Sequence, residues 1–235
     1  MRNKNFHRFY KSMKIALSSF DTRNNIYFQK QLLAKCSIPR TDGTKEECTI
    51  SILDKKDEKD KHYFTNVRKN HLWDFGQYIS IVDTYLSDAS ADTEEELDLK
   101  STDFYTIENS SKECIGYCVS YYTNKEDSAD DKSSIHVEYL EKIPDLSLDR
   151  YENYDYNYKY IGQTMLSFIA KLAKKMNADN INLFMAKATP RFYLNKCYFR
   201  RSYPSMNSAY LPAVDYDKLI ERNEKNCSST IDLIY

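Results

Sequence analysis

The run "YKYIGQTMLSFIAKLAKKM" at 158–176 constrains the chain more than any other stretch. Met165, Leu166, Ile169, Leu172 and Met176 recur at the spacing of one helix face, and Lys171, Lys174 and Lys175 lie off it. Strand-like runs flank this helix: "SIHVEYLEKI" at 134–143, stopped by Pro144, and "NINLFMA" at 180–186. Strand, amphipathic helix and strand in that order commit the chain to a sheet with a helix on its face. Gly162, one of only four glycines in 235 residues, stands at the mouth of the helix. An ordinary core helix can take a glycine in its first turn. Alternatively, the missing side chain lets a phosphate approach amides that the helix leaves unpaired.

Around that unit the sequence predicts more strands than helices. "DFYTIEN" and "CIGYCVSYYT" (103–109 and 114–123) are β-rich runs joined by "SSKE", which reads as an antiparallel hairpin. Gly116 inside the second run marks a bulge or a close backbone approach. "CTISILD" at 48–54 reads as a strand, and "KKDEKDK" behind it as a loop. Leu72, Phe75, Ile79, Val82 and Leu86 recur at helical spacing, and the acidic "SDASADTEEELDLK" at 87–100 reads as a solvated loop. In the strand at 134–143, Ile135, Val137 and Tyr139 alternate against His136 and Glu138, which sets the two groups on opposite faces. After the strand at 180–186, "TPRFYLNKC" opens with Pro190 and reads as a short helix, followed by a strand at "YFRRSY". A helix over "VDYDKLIERNEKN" and a strand at "STIDLIY" close the chain. Residues 1–45 read as an N-terminal extension with a helix around Ile26–Lys35, ended by the turn-rich "SIPRTDG". The fold class is α/β in the α+β sense, a mixed sheet with helices on its faces.

Thirty-four basic against 35 acidic residues leave no global charge to draw nucleic acid or an anionic membrane. No apolar run approaches the roughly 18–20 residues that span a bilayer, and no signal-peptide core follows the basic N-terminus. The expectation is a cytoplasmic protein. Six cysteines without a CxxC pair suggest free buried thiols, with neither a zinc site nor a disulfide framework. Phosphate-loop, dinucleotide GxGxxG, HExxH and GxSxG patterns are absent, which removes the commonest nucleotide, zinc-protease and serine-hydrolase classes.

Three local runs, in their order and context, resemble the GCN5-related N-acetyltransferase (GNAT) superfamily. "CIGYCVSYYT" is similar to the family's third strand. "KYIGQT" at 159–164 is similar to its pyrophosphate signature Gln/Arg-x-x-Gly-x-Gly/Ala, with Lys159 for the first residue and Thr164 for the last. "FYLNKCYF" at 192–199 is similar to the run Phe-Tyr-x-x-x-Gly-Phe, with Cys197 at the glycine. The resemblance makes residues 46–235 the acetyltransferase-like domain. It implies transfer of an acyl group from acetyl-CoA to a primary amine: a protein lysine, an N-terminus or a small amine.

The resemblance also assigns residues. Coenzyme A's diphosphate would rest on Lys159, Tyr160, Ile161, Gly162, Gln163 and Thr164. Its pantetheine arm would pair with strand amides at Val137 and Tyr139, where that strand splays from 180–186. Tyr193 would donate to the departing thiolate. Glu138 would take the amine's proton, with Glu141 and His136 as alternatives, because an ammonium cannot attack. No metal is implied, and a homodimer stays open as a partner. The insert 145–157, Thr164 and Cys197 depart from the pattern, and they leave a second reading: a domain of the same fold that binds coenzyme A or a protein without catalysis.

Overall fold

The strand–helix–strand run folds as its pattern predicts, and it sets the only parallel pairing among the described strands. The computed structural model describes residues 31–52, 103–128, 130–142, 157–185, 189–203 and 207–234. Among the described residues, nine strands form one sheet: β1 (Gln31–Pro39), β2 (Lys45–Ile52), β3 (Asp103–Glu108), β4 (Cys114–Thr123), β5 (Ser134–Lys142), β6 (Asn180–Phe184), β7 (Arg200–Arg201), β8 (Ser208–Pro212) and β9 (Asp232–Leu233). Their spatial order is β7-β8-β6-β5-β4-β3-β2-β1-β9. Helix α1 (Ile161–Met176) carries the chain from β5 to β6, and α2 (Tyr216–Cys227) follows β8. Because the chain crosses over through α1, β5 and β6 run parallel, while every other described pair is antiparallel.

Helix α1 is sequestered on nearly all sides. Met165, Leu166, Phe168 and Ile169 are fully buried, and Phe168 meets Tyr105 of β3 edge-on at 5.3 Å. Each such side chain contributes about 1.5–3 kcal/mol over an exposed one. Its flank against α2 is polar: the Thr164 hydroxyl lies 3.1 Å from Asn223 Oδ1, Asn226 donates to Gln163 Oε1, and Lys171 pairs with Glu224. The helix closes at Asn177 in the left-handed conformation, whose N–H caps the Ala173 and Lys174 carbonyls.

Gly116 supports both halves of its sequence reading. Ile115 is an extra residue in the ladder to β3, where Ile107 pairs with Gly116 and Glu108 with Cys114. A Cβ on Gly116 would lie 2.5 Å from Ile161 Cγ2 and 3.0 Å from the Glu141 carbonyl oxygen. The first residue of α1 therefore rests directly on the bare backbone of β4.

One helix expected from the sequence is a strand. Over Ile26–Lys35 the described part, from Gln31 onward, belongs to β1, whose Ala34, Cys36 and Ile38 are buried at period two while Lys35 is exposed. Pairing with β2 on one edge and β9 on the other overrides the helix-favouring Gln, Leu, Ala and Lys of this run. The sheet thus includes residues that the sequence reading set apart as an extension. The remainder of residues 1–30, the helix expected over 65–86, the acidic run 87–100 and the insert through residue 156 lie outside the described residues. All six cysteines are free, five buried and Cys114 half-buried. Burial pushes the Cys48 and Cys197 thiols up to about 12.

Candidate active site

Strand β5 changes character at Glu138. Ser134–Val137 pair with Asn180–Leu183 of β6, and that ladder stops at Val137. On the other edge, β4 pairs Ser120 with Val137 and Val119 with Tyr139, so Glu138 is an extra residue without a partner. This bulge bends β5 and exchanges its faces. Val137 faces α1 with Ile135. Beyond the bulge Leu140 takes that face, while Tyr139 and Glu141, opposite Val119 and Tyr117, share the other face with His136. The expected common face of Val137 and Tyr139 is therefore corrected: strict alternation fails where one extra residue enters the strand.

The start of α1 sits against this second half of β5. The Gly162 Cα approaches Leu140 and Phe192 closely enough that a Cβ would meet Phe192 Cζ at 3.2 Å and Leu140 Cδ2 at 3.8 Å. Lys142 donates from its ammonium to the Tyr158 carbonyl. Tyr158 holds the approach to the helix: its hydroxyl donates to Glu46 Oε2 at 2.7 Å and accepts from Asn109 at 3.1 Å, and the Arg40 guanidinium lies over its ring. The Lys159 N–H donates to the Pro39 carbonyl, and Tyr160 enters the helix with φ 64°, the left-handed region.

The helix start has no side-chain cap and no acidic residue in its first turn. The Thr164 N–H is taken by the Tyr160 carbonyl at 2.8 Å, which leaves the amides of Ile161, Gly162 and Gln163 as the donors outside the helical ladder. Three backbone donors and the positive end of a helix dipole suit a diphosphate. Lys159 and Tyr160 are exposed beside them. The side chains of Ile161, Gln163 and Thr164 point elsewhere, onto Gly116 and α2, so these positions can serve a ligand only through the backbone. Buried polar groups lie behind the turn: Gln163 Nε2 and Ser167 Oγ have no hydrogen-bond partner among the described residues.

Tyr193 lies in a π-helical turn, Phe192–Lys196, that follows β6. Its ring packs edge-on against Phe192 at 4.9 Å and Phe199 at 6.0 Å, on the α1 side of the sheet. Among the described residues nothing hydrogen-bonds its hydroxyl. Burial, with smaller contributions from Cys197 and Cys118, pushes the phenol up to about 12, so it is protonated at neutral pH. The π turn also moves the motif's special residue. A glycine is expected where φ is positive, and that residue is Tyr198 (φ 62°), while Cys197 is a fully buried core residue at φ −112°. The wide turn, closed by the Cys197 N–H on the Phe192 carbonyl, accommodates one more residue than the motif spacing.

Across the sheet, Glu138, Tyr139 and His136 line a groove of about 860 Å³ with Tyr121, Phe184, Tyr203 and Tyr210. Partial desolvation raises the Glu138 carboxyl above its ordinary range although the side chain meets solvent. His136 is pushed down by burial, partly offset by Asp130, and stacks on Tyr121 at 4.6 Å. Glu141 is held by the Tyr117 hydroxyl away from this groove's lining, with its carboxyl also raised by burial. The site is thus two-sided, with the α1 amides and Tyr193 behind the split in the sheet and Glu138 before it. Sequence reasoning missed Phe184, Tyr203 and Tyr210; for Phe184, the alternation Asn180, Asn182, Phe184 along its strand was the available signal. Among the described residues, no group of three His, Cys, Asp or Glu side chains is placed to hold a metal, and no helix is long and apolar enough to cross a membrane.

No family model and no curated protein matches the chain. Solved structures do. A mutant of the AtaT toxin, bound to the C-terminus of the antitoxin AtaR and acetyl-CoA, is similar over 74% of this chain and 98% of its own, at 14% identity and TM-score 0.44. FeeM, an N-acyl amino acid synthase from uncultured soil microbes, is similar over 73% and 94%, at 11% identity and TM-score 0.44. The spermidine N-acetyltransferase of Vibrio cholerae is similar over 72% and 95%, at 13% identity and TM-score 0.45. At such identities and scores the chemistry of these neighbours is not evidence of this chain's. The mixed sheet, the one parallel pair among its described strands and the helix start at the split stand on the chain's own topology.

Proposed function

We propose that the chain is an acyl-CoA-dependent N-acyltransferase that moves an acetyl group from acetyl-CoA to a primary amine. The observation that carries this is the split: β5 loses its β6 partner after Val137, and the uncapped first turn of α1 stands against the freed half. The diphosphate would lie on the amides of Ile161, Gly162 and Gln163, with Lys159 and Tyr160 at its edge. The pantetheine arm would take the ladder positions that β6 vacates beyond Val137, pairing with backbone of the freed half of β5.

The amine would reach the thioester from the opposite face. Its nitrogen attacks the acyl carbon, a C–N bond forms, and collapse of the tetrahedral intermediate breaks the C–S bond. Glu138 takes the proton from nitrogen, directly or through water, and the Tyr193 hydroxyl donates to the departing sulfur. Placing donor and base on opposite sides of one gap keeps the two substrates from competing for space. A cytoplasmic location is part of this reading.

A second reading has one observation in its favour. Phe192 already occupies the space that Gly162 leaves, so the glycine serves packing whether or not a phosphate binds. In that case the fold would bind a partner without turnover. Thermal unfolding with and without acetyl-CoA separates the readings when paired with Gly162→Glu. The parent should be stabilised by about 2.7 kcal/mol at a hundredfold excess over Kd. The variant, with a carboxylate at the diphosphate, should lose that response while remaining folded. Equal stabilisation of both proteins removes the helix start from the binding site.

A further inference from the structure

The groove before the split has a chemistry of its own, and its reading as an acceptor site rests on the transfer reaction above. We propose that it takes a singly charged primary amine on an apolar, ring-bearing body, with the ammonium at Glu138 and the body against Phe184, Tyr203 and Tyr210.

Ring surface is the first argument. Six ring-bearing side chains line the groove: Tyr121, His136, Tyr139, Phe184, Tyr203 and Tyr210. Phe184 is 80% and Tyr203 62% exposed, two of the four large hydrophobic side chains exposed among the described residues. Phe184 also ends β6, where the outward positions Asn180 and Asn182 share the lining. Exposed rings gathered in one groove mark a surface that gains by being covered, unlike rings scattered singly. Ring faces attract both apolar bodies and cations, whereas a small hydrophilic amine would leave them in water.

Charge decides the rest. The lining carries two carboxylates, Glu138 and Asp130, and one ammonium, Lys132. Asp130 accepts the Ser128 hydroxyl at one oxygen, and its charge bears on His136. Glu138 has no hydrogen-bond or ion-pair partner among the described residues, so its carboxylate is the one in the lining open on both oxygens to an ammonium. His136, held neutral by burial, adds no repulsion. A polyamine would bring further ammonium groups beside Lys132, whose like charge opposes them, and only Asp130, already hydrogen-bonded to Ser128, is left to meet one of them.

Calorimetric titration of the full chain with tryptamine, ethanolamine and spermidine, alongside a separate titration with acetyl-CoA, tests this. Tryptamine should bind at least about tenfold tighter than either of the others, the separation that about 1.4 kcal/mol of ring contact provides. Glu138→Gln should weaken tryptamine by about tenfold, and Phe184→Ala by about threefold; Phe184 is so exposed that its removal leaves the core intact. Spermidine binding as tightly as tryptamine, or tryptamine binding unchanged in both variants, overturns the proposal. If acetyl-CoA binds and tryptamine does not, the groove assignment fails and the transfer reaction stands. If tryptamine binds as expected and acetyl-CoA does not, the groove stands and the transfer reaction fails.

Discussion

The two halves of β5 belong to one nine-residue strand yet live in different surroundings. Ser134–Val137 are laddered on both edges, with Ile135 and Val137 in the core; beyond the unpaired Glu138, Tyr139–Lys142 keep only the β4 ladder. A single inserted residue produces the difference. Without the bulge at Glu138, continued alternation would set Leu140 on the groove face and Tyr139 under α1. With it, Leu140 supports the start of α1, and Tyr139 joins the groove. The first half shows how a strand is held in a sheet, and the second how the same strand is freed to face a ligand on one edge.

The sharpest test of that contrast is catalytic. If the freed half admits the thioester, Tyr193→Phe should lower kcat by about 10²–10⁴, with acetyl-CoA affinity little changed, because the loss falls on the transition state. Since the phenol is pushed up to about 12, the parent should show no loss of the donor between about pH 6 and 9. The acid limb should instead follow Glu138, whose raised carboxyl loses the base form as pH falls through its pKa. Steady-state rates by thiol release, over pH, measure both. A Tyr193→Phe enzyme at full rate would exclude the hydroxyl and leave the split as a binding cleft.

A smaller effect tests how the two halves are kept apart. Ile161 rests on Gly116, and Gly116 pairs with Lys142 at the end of the freed half. Gly116→Ala places a methyl 2.5 Å from Ile161 Cγ2 and 3.0 Å from backbone oxygen, so α1 or the strand must move. Overpacking of this kind costs about 1–3 kcal/mol. Denaturant titration should show a lowered midpoint, and acetyl-CoA should stabilise the variant less than the parent because the helix start shifts. Gly162→Ala should be milder, since its closest neighbour at 3.2 Å is the far end of the Phe192 ring, which can turn aside. Equal costs at the two glycines would mean that the seat of α1 is not where the split is maintained.

Much of this architecture was legible because it follows from periodicity. The α1 face, the hairpin of β3 and β4, and the strands on either side of α1 each announce themselves by a repeat of about 3.6 or 2. What was not legible turns on one-residue insertions and on distant pairing. Glu138 looks like any outward residue of an alternating strand until the β4 register shows it to be extra. β1 carries a period-two set in Ala34, Cys36 and Ile38, but its helix-favouring neighbours mask that signal, and only β2 and β9 decide the conformation. The site divides the same way. Gly162 and Tyr193 belong to patterned runs, whereas Phe184, Tyr203 and Tyr210 come together only because β6, β8 and the loop after β7 are neighbours in space.

The smallest effect concerns the turn that carries Tyr193 to its place behind the split. Tyr198 holds φ 62°, a conformation that costs a residue with a Cβ about 1–2 kcal/mol and glycine almost nothing. The Arg222 guanidinium lies 5.4 Å from the Tyr198 ring centroid, and such a contact at a partly exposed site returns about 0.5–1 kcal/mol. Tyr198→Gly relieves the first and forfeits the second, while also adding backbone freedom to the unfolded chain. The net change should stay within about 1 kcal/mol of zero. Tyr198→Ala keeps the strain and loses the ring, so it should be destabilising by about 0.5–1 kcal/mol, and the glycine variant should be the more stable of the two. Denaturant midpoints of the three proteins decide it. An alanine variant at least as stable as the glycine variant would mean that the strain at this turn is no larger than the roughly 0.4–1 kcal/mol that glycine's freedom costs in the unfolded chain.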